Sequence, residues 1–129
     1  MRTLQISFTI ALATLMLSFT KSEADTNYKY TVQLINYTGE NAYLTISLLK
    51  PDGKYDRTLS VHGKDEKWYA DIIHWWGYQK KAKQKIDGVT GASIAGGQRA
   101  MSTVKIPSDL INKGYKIRVE TAVKTKKYH

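Results

Sequence analysis

Gly114-Tyr115-Lys116-Ile117-Arg118-Val119-Glu120-Thr121 is the stretch that decides the fold. Tyr115, Ile117, Val119 and Thr121 alternate with Lys116, Arg118 and Glu120. A period of two is the signature of a β-strand, whose successive side chains point to opposite faces. The same period returns towards the N-terminus. Within residues 27–37, Tyr28, Tyr30, Val32 and Leu34 alternate with Lys29, Thr31 and Gln33, which predicts a half-buried strand. Thr38-Gly39-Glu40-Asn41 reads as a turn. Residues 42–49 alternate again, with Leu44, Ile46 and Leu48 inward. Pro51-Asp52-Gly53 ends that strand, because proline presets φ and glycine accepts the left-handed position. Residues 57–61 return as the third strand, forming a hairpin with the second, and residues 101–106 read as a further strand.

One segment breaks the period. After Gly63, the residues Trp68, Ile72, Trp75 or Trp76, and Gln79 recur near every 3.6 positions. Asp65 suits an N-cap and Gly77 a stop, so a short helix is expected over residues 66–76, packed across the end or face of a sheet; the alternative is that the polar stretch beyond Gly77 adds a further turn. Pro107-Ser108-Asp109 is a turn, with one helical turn possible before Gly114. Short strands joined by turns, plus one helix, predict a mainly β fold: an immunoglobulin-like antiparallel β-sandwich. No βαβ alternation is present, which argues against a dinucleotide-binding unit.

The N-terminus carries a different signal. Arg2 precedes an apolar run from Ile6 to Phe19, and Ser22-Glu23-Ala24 places small residues where a signal peptidase cuts. Residues 1–24 are therefore expected to be a secretory leader, with an uncleaved anchor as the rival reading, and residues 25–129 a single exported domain that is periplasmic or otherwise outside the cytoplasm. The apolar run is short for a membrane span, so the processed chain is expected beside a membrane but not through it. The chain has 20 basic and 11 acidic residues and a net charge of +9. Losing Arg2, Lys21 and Glu23 with the leader leaves it strongly basic. Such a surface meets anionic partners readily, or serves plain solubility alone, and nucleic acid is not expected outside the cytoplasm. Cysteine is absent, which removes disulfides, thiolate catalysis and zinc–thiolate sites together. His62, His74 and His129 have no metal-ligand spacing, and no Gly-x-Ser-x-Gly elbow marks a hydrolytic serine. No catalytic residue and no metal ligand is assigned.

Asp87-Gly88-Val89-Thr90-Gly91-Ala92-Ser93 puts an acid, two glycines and two hydroxyls into one short loop. Glycine lets another group approach the backbone closely, and a hydroxyl there can be modified or can bind an anion. The same composition also fits a plain connecting loop turned at Asp87-Gly88. Lys80, Lys81, Lys83 and Lys85 lie just before it and can attract a phosphate, or simply form a solvated face. Trp68, Trp75, Trp76, Tyr69 and Tyr78 offer an aromatic wall for a planar ring, or the packing face of a helix.

The loop resembles the acceptor motif of bacterial flavin transferases: an acid, two residues, Thr or Ser, Gly, Ala, then Thr or Ser. Those enzymes attach FMN through its phosphate to the last hydroxyl of the motif, in FMN-binding domains of Rnf-type and sodium-pumping quinone reductase complexes. The resemblance implies covalent FMN on Ser93, with Asp87, Thr90, Gly91 and Ala92 as recognition residues and serine standing where threonine is usual. Trp75, Trp76, Tyr78, Lys83 and Lys85 become the expected flavin contacts. A wider resemblance covers residues 42–123 through Asp52-Gly53, Arg57-Thr58-Leu59, Lys67-Trp68, Trp75-Trp76, the loop, Gly97, Gly114-Tyr115 and Val119-Glu120. It is similar to a predicted periplasmic family of unknown function, often labelled flagellin biosynthesis protein FlgD from its immunoglobulin-like character. Members occur beside PepSY-type membrane reductases and flavin transferases, which the resemblance makes the expected partners. The implied function is that of an exported module in flavin-linked electron transfer, a carrier and not an enzyme with its own substrate. The alternative is a non-catalytic immunoglobulin-like interaction module that binds an envelope protein or an anionic polymer.

Overall fold

Every residue of the second strand, β2 (Tyr43–Leu49), is buried. Alternate side chains of a strand point to opposite faces, so such a strand must be covered on both sides. The computed structural model describes residues 24–123 and the backbone of 127–128. The expected leader, up to residue 23, lies outside the described residues. Within them β2 is the centre of a five-stranded sheet. On one side it pairs with β3 (Tyr55–His62), which is followed outward by the two residues of β4 (Thr90–Gly91). On the other it pairs with β6 (Lys116–Val123), followed by β7 (Lys127–Tyr128). All pairings are antiparallel except that of β3 with β4. A separate ribbon pairs β1 (Thr26–Gln33) with β5 (Arg99–Ile106), antiparallel and without a break in register.

The two faces of the sheet carry two cores. Leu44, Ile46 and Leu48 face the ribbon, where they pack with Leu59, Ile94, Val104 and Ile106. The expected β2–β3 hairpin is present, but Ile46 pairs with Ser60 and Ser47 with Thr58. Leu59 is thus the extra residue of a bulge, and its side chain joins the ribbon-side core. On the opposite face Tyr43, Val61 and Ala122 pack with Tyr69, Ile72 and Trp75. Each such large side chain contributes about 1.5–3 kcal/mol relative to exposure. The molecule is the expected mainly β sandwich, with a second sheet of two strands and a helical layer added outside the first.

The helical layer differs from the sequence expectation. It is a 3-10 segment, Glu66–Asp71, followed by α1 (Ile73–Ala82). Asp65 does cap the first segment, accepting from the Lys67 amide at 3.3 Å. Gly77, expected as a stop, lies inside α1, and the helix ends at Lys83, whose φ of 49° is left-handed. A mid-helix glycine costs about 1 kcal/mol. Trp75 and Gln79, both buried on either side of Gly77, anchor the helix against that cost.

α1 has no side-chain cap of its own at Ile72. Its N-terminus is met instead by Glu120 of β6, which is only 2% exposed. Glu120 Oε1 accepts from the Trp75 amide at 3.2 Å, and Oε2 accepts from the Tyr55 hydroxyl. Arg118 Nε approaches the same oxygen at 3.8 Å. A carboxylate under a helix N-terminus satisfies free amides and the positive end of the dipole.

The alternation of β6 is as the sequence predicts, yet the covered face is the polar one. Ile117 and Val119 are 52% and 53% exposed. The ribbon does not cover them, and an open apolar groove of about 480 Å³ runs between β1 and β6.

Candidate functional site

The loop singled out by sequence folds in three parts. Asp87–Val89 is a single 3-10 turn, closed by the Val89 amide on the Ile86 carbonyl at 2.9 Å. The Thr90 hydroxyl donates to the same carbonyl at 2.7 Å. Thr90 and Gly91 then run beside Val61 and His62 as β4, and the Gly63 amide donates to the Gly91 carbonyl at 2.8 Å. Beyond Ser93, Ile94 and Ala42 exchange backbone hydrogen bonds of 2.7 and 2.9 Å. Ser93 is therefore held at both flanks, half-buried, with Asn41 Nδ2 donating to its Oγ at 3.4 Å.

His62 is the residue that sequence reading missed. It is buried, and its Nδ1 lies 3.3 Å from the Ala92 carbonyl. A carbonyl only accepts, so Nδ1 carries the proton and the neutral ring accepts at Nε2. The Tyr30 hydroxyl, 2.7 Å away, must then donate to Nε2. Ser60 Oγ, 2.6 Å from the same hydroxyl, in turn donates to Tyr30. The network joins β1, β3 and the loop in one direction. Burial pushes the His62 pKa below its ordinary value, and the Ala92 carbonyl offsets part of that shift. Only the thirty-residue separation of His62 from Ala92 hides this contact from the sequence.

The glycines of the loop are not needed by its own fold. Neither Gly88 nor Gly91 has positive φ. A Cβ at Gly88 would meet nothing within 4 Å, and one at Gly91 only His62 Nδ1 at 4.0 Å. The space beside both is open, and Ala92 is exposed. This is room that another molecule can use.

A cleft of about 290 Å³ adjoins the start of the loop. Tyr69, Trp76, Lys80, Lys83 and Lys85 line it, together with the acids Glu66 and Asp87. Gln84 sets this arrangement by clipping to Thr58 of β3 through both amide atoms at 2.9 Å, so the lysines on either side of it turn outward. Burial, and then the nearby Glu66 charge, push the Tyr69 hydroxyl pKa upward, so it stays protonated.

Of the expected flavin contacts, Trp76, Lys83 and Lys85 meet in this cleft together with Asp87. Trp75 does not. It is wholly buried, donating from Nε1 to Thr58 Oγ1 at 2.9 Å. Tyr78 stacks on Tyr55 at 4.7 Å and donates to the Asp56 carbonyl at 2.8 Å, away from the cleft. Thr90, Gly91, Ala92 and Ser93 continue from the cleft along the sheet edge and do not line it. Among the described residues no group of three or more His, Cys, Asp or Glu side chains can hold a metal ion. No described helix is long and apolar enough to cross a membrane.

No curated protein and no solved structure matches the chain. A family model does match, over residues 25–129, and its description is predicted periplasmic protein (DUF2271).

Proposed function

The chain belongs to this family of predicted periplasmic proteins, and on that premise we propose that it is an exported carrier in flavin-linked electron transfer, with FMN esterified through its phosphate to Ser93. One observation supports the reading most. Ser93 is half-buried and pinned at both flanks, beside glycines that the fold itself does not require. Asp87, Thr90, Gly91 and Ala92 present the segment to a flavin transferase. The Asn41 amide, already facing Ser93 Oγ, faces the ester oxygen, and Lys80, Lys83 and Lys85 favour the approach of an anionic nucleotide. In the attachment the Ser93 oxygen bonds to the flavin phosphate. The bond from that phosphate to the donor's leaving group breaks, and the serine proton departs.

The bound flavin supplies the electron chemistry; the protein supplies orientation and electrostatics. A PepSY-type membrane reductase is the proposed electron partner. The test is co-expression with a bacterial flavin transferase followed by intact mass. The reading expects a gain of one FMN less water, lost in Ser93→Ala. No gain, or a gain that survives Ser93→Ala, rejects it. A second reading, an interaction module for an envelope protein, is favoured by a separate observation, the apolar groove on the ribbon side of the sheet.

A further inference from the structure

β1 presents an eight-residue edge with little to blunt it. Among the described residues it pairs only with β5, along an unbroken register from Thr26 opposite Ile106 to Gln33 opposite Arg99. Strand edges are normally defended by proline, bulges or several charges. β1 has neither a proline nor a bulge, and its single charge, Lys29, points to the outer face. Beside this edge lies the open groove of about 480 Å³. Ile46 and Leu48 of β2 and Val104 and Ile106 of the facing ribbon line it, with Leu110, Ile111 and Tyr115 of the segment between β5 and β6, and its uncovered side is Ile117 and Val119 of β6. The ribbon stops one strand short of covering the sheet.

We propose that an extended segment of a partner polypeptide docks in this groove as a third ribbon strand, hydrogen-bonding to the β1 edge and laying alternate apolar side chains on Ile117 and Val119. The occupant follows from two properties found together. A row of backbone donors and acceptors with no partner among the described residues recognises a peptide backbone, which an acyl chain cannot answer. The apolar floor beside it selects every second side chain. Charge adds a preference for acidic residues on the outward face. Lys29 is the cross-strand neighbour there, and Lys105 is exposed on the same outer face of the ribbon. Tyr30 lines the groove and also bonds His62, so the docked strand lies one hydrogen-bonded network away from Ala92. The inference does not depend on flavin attachment and is tested on unmodified protein.

The test uses the exported protein and a synthetic ten-residue peptide that alternates isoleucine with threonine and glutamate. Controls are a scrambled peptide of the same composition, an ordered peptide N-methylated along one edge, and dodecanoate. The ordered peptide is expected to bind at least tenfold more tightly than the scrambled or N-methylated ones, and to slow amide exchange along β1 at least tenfold. Ile117→Glu and Val119→Glu, at half-exposed positions that leave thermal melting unchanged, are expected to weaken binding at least tenfold. Should either variant melt early, Lys29→Glu is the alternative, expected to weaken the glutamate-bearing peptide more than a lysine-bearing one. Equal binding of ordered and scrambled peptides overturns the proposal. So does dodecanoate filling the groove while the peptide does not bind, which makes it an acyl site. Dimerisation that itself protects the β1 amides also overturns it, in favour of a second copy of this chain.

Discussion

The Tyr30 hydroxyl lies 2.7 Å from Nε2 of His62, and the other ring nitrogen of that histidine faces the Ala92 carbonyl. One side chain of the ribbon and one of the central sheet thereby fix the backbone immediately before Ser93. The loop's geometry is set from outside the loop, by residues that no local pattern marks.

This network makes stability depend on pH. Burial lowers the His62 pKa in the folded state, while the unfolded chain keeps the ordinary value of 6.5. Below that value the unfolded state binds the proton and the folded state does not, so the unfolded state is favoured. The melting temperature is expected to fall as pH drops from about 7 to about 5, with the effect confined to the interval below the ordinary histidine value. His62→Gln, which keeps a donor and an acceptor without titrating, should flatten that part of the profile. An unchanged profile in the variant contradicts the assignment.

Glu120 should be a sensitive position. Glu120→Ala leaves the Trp75 amide, the Tyr55 hydroxyl and the Arg118 guanidinium without this partner. Breaking a buried, hydrogen-bonded charge site costs about 3–5 kcal/mol. Glu120→Gln retains one acceptor and is expected to cost about 1–2 kcal/mol. Urea denaturation measures both, and a Glu120→Ala loss below that of Glu120→Gln contradicts the role as a helix anchor.

Two glycines should respond in opposite ways. A Cβ at Gly96 would lie 2.0 Å from the Tyr37 carbonyl oxygen, a backbone atom that cannot swing aside. Gly96→Ala is expected to lower stability by about 2 kcal/mol or more. Gly91→Ala has room for its methyl and should change stability by less than about 0.5 kcal/mol. It should nevertheless reduce loading of Ser93 by a flavin transferase, because the open space beside it is then filled. Normal loading of a stable Gly91→Ala protein contradicts the recognition role.

The lysines of the cleft act through long-range charge if they act on an anionic nucleotide. The double change Lys83→Glu and Lys85→Glu should slow flavin loading several-fold at low salt and, because Lys83 caps the C-terminus of α1, lower stability by no more than about 1 kcal/mol. The difference should vanish near 0.5 M salt, where screening acts within about 4–5 Å. A salt-independent effect would point to direct contact instead.

Much of the architecture is written locally. Period-two alternation marks β1, β2 and β6, and Pro51-Asp52-Gly53 marks the hairpin, because these signals depend on neighbours in sequence. Which face of a strand is covered is not local. Ile117 and Val119 alternate as a core strand does, yet they stay half-exposed while Glu120 is buried, because the ribbon is one strand too narrow and α1 needs an anchor. Gly77 has the composition of a stop, but tertiary packing of Trp75 and Gln79 carries the helix past it. The chemistry of the loop was legible as a composition. Its support by His62, Tyr30 and Asn41 was not, since those residues come from distant strands and turns.

The most direct test of the central claim is the intact mass and visible spectrum of the protein purified from its own envelope. The account predicts a yellow protein heavier by one FMN less water, with the added mass on the peptide that contains Ser93. A colourless protein at the mass of the unmodified chain, from cells that carry an active flavin transferase, would contradict it.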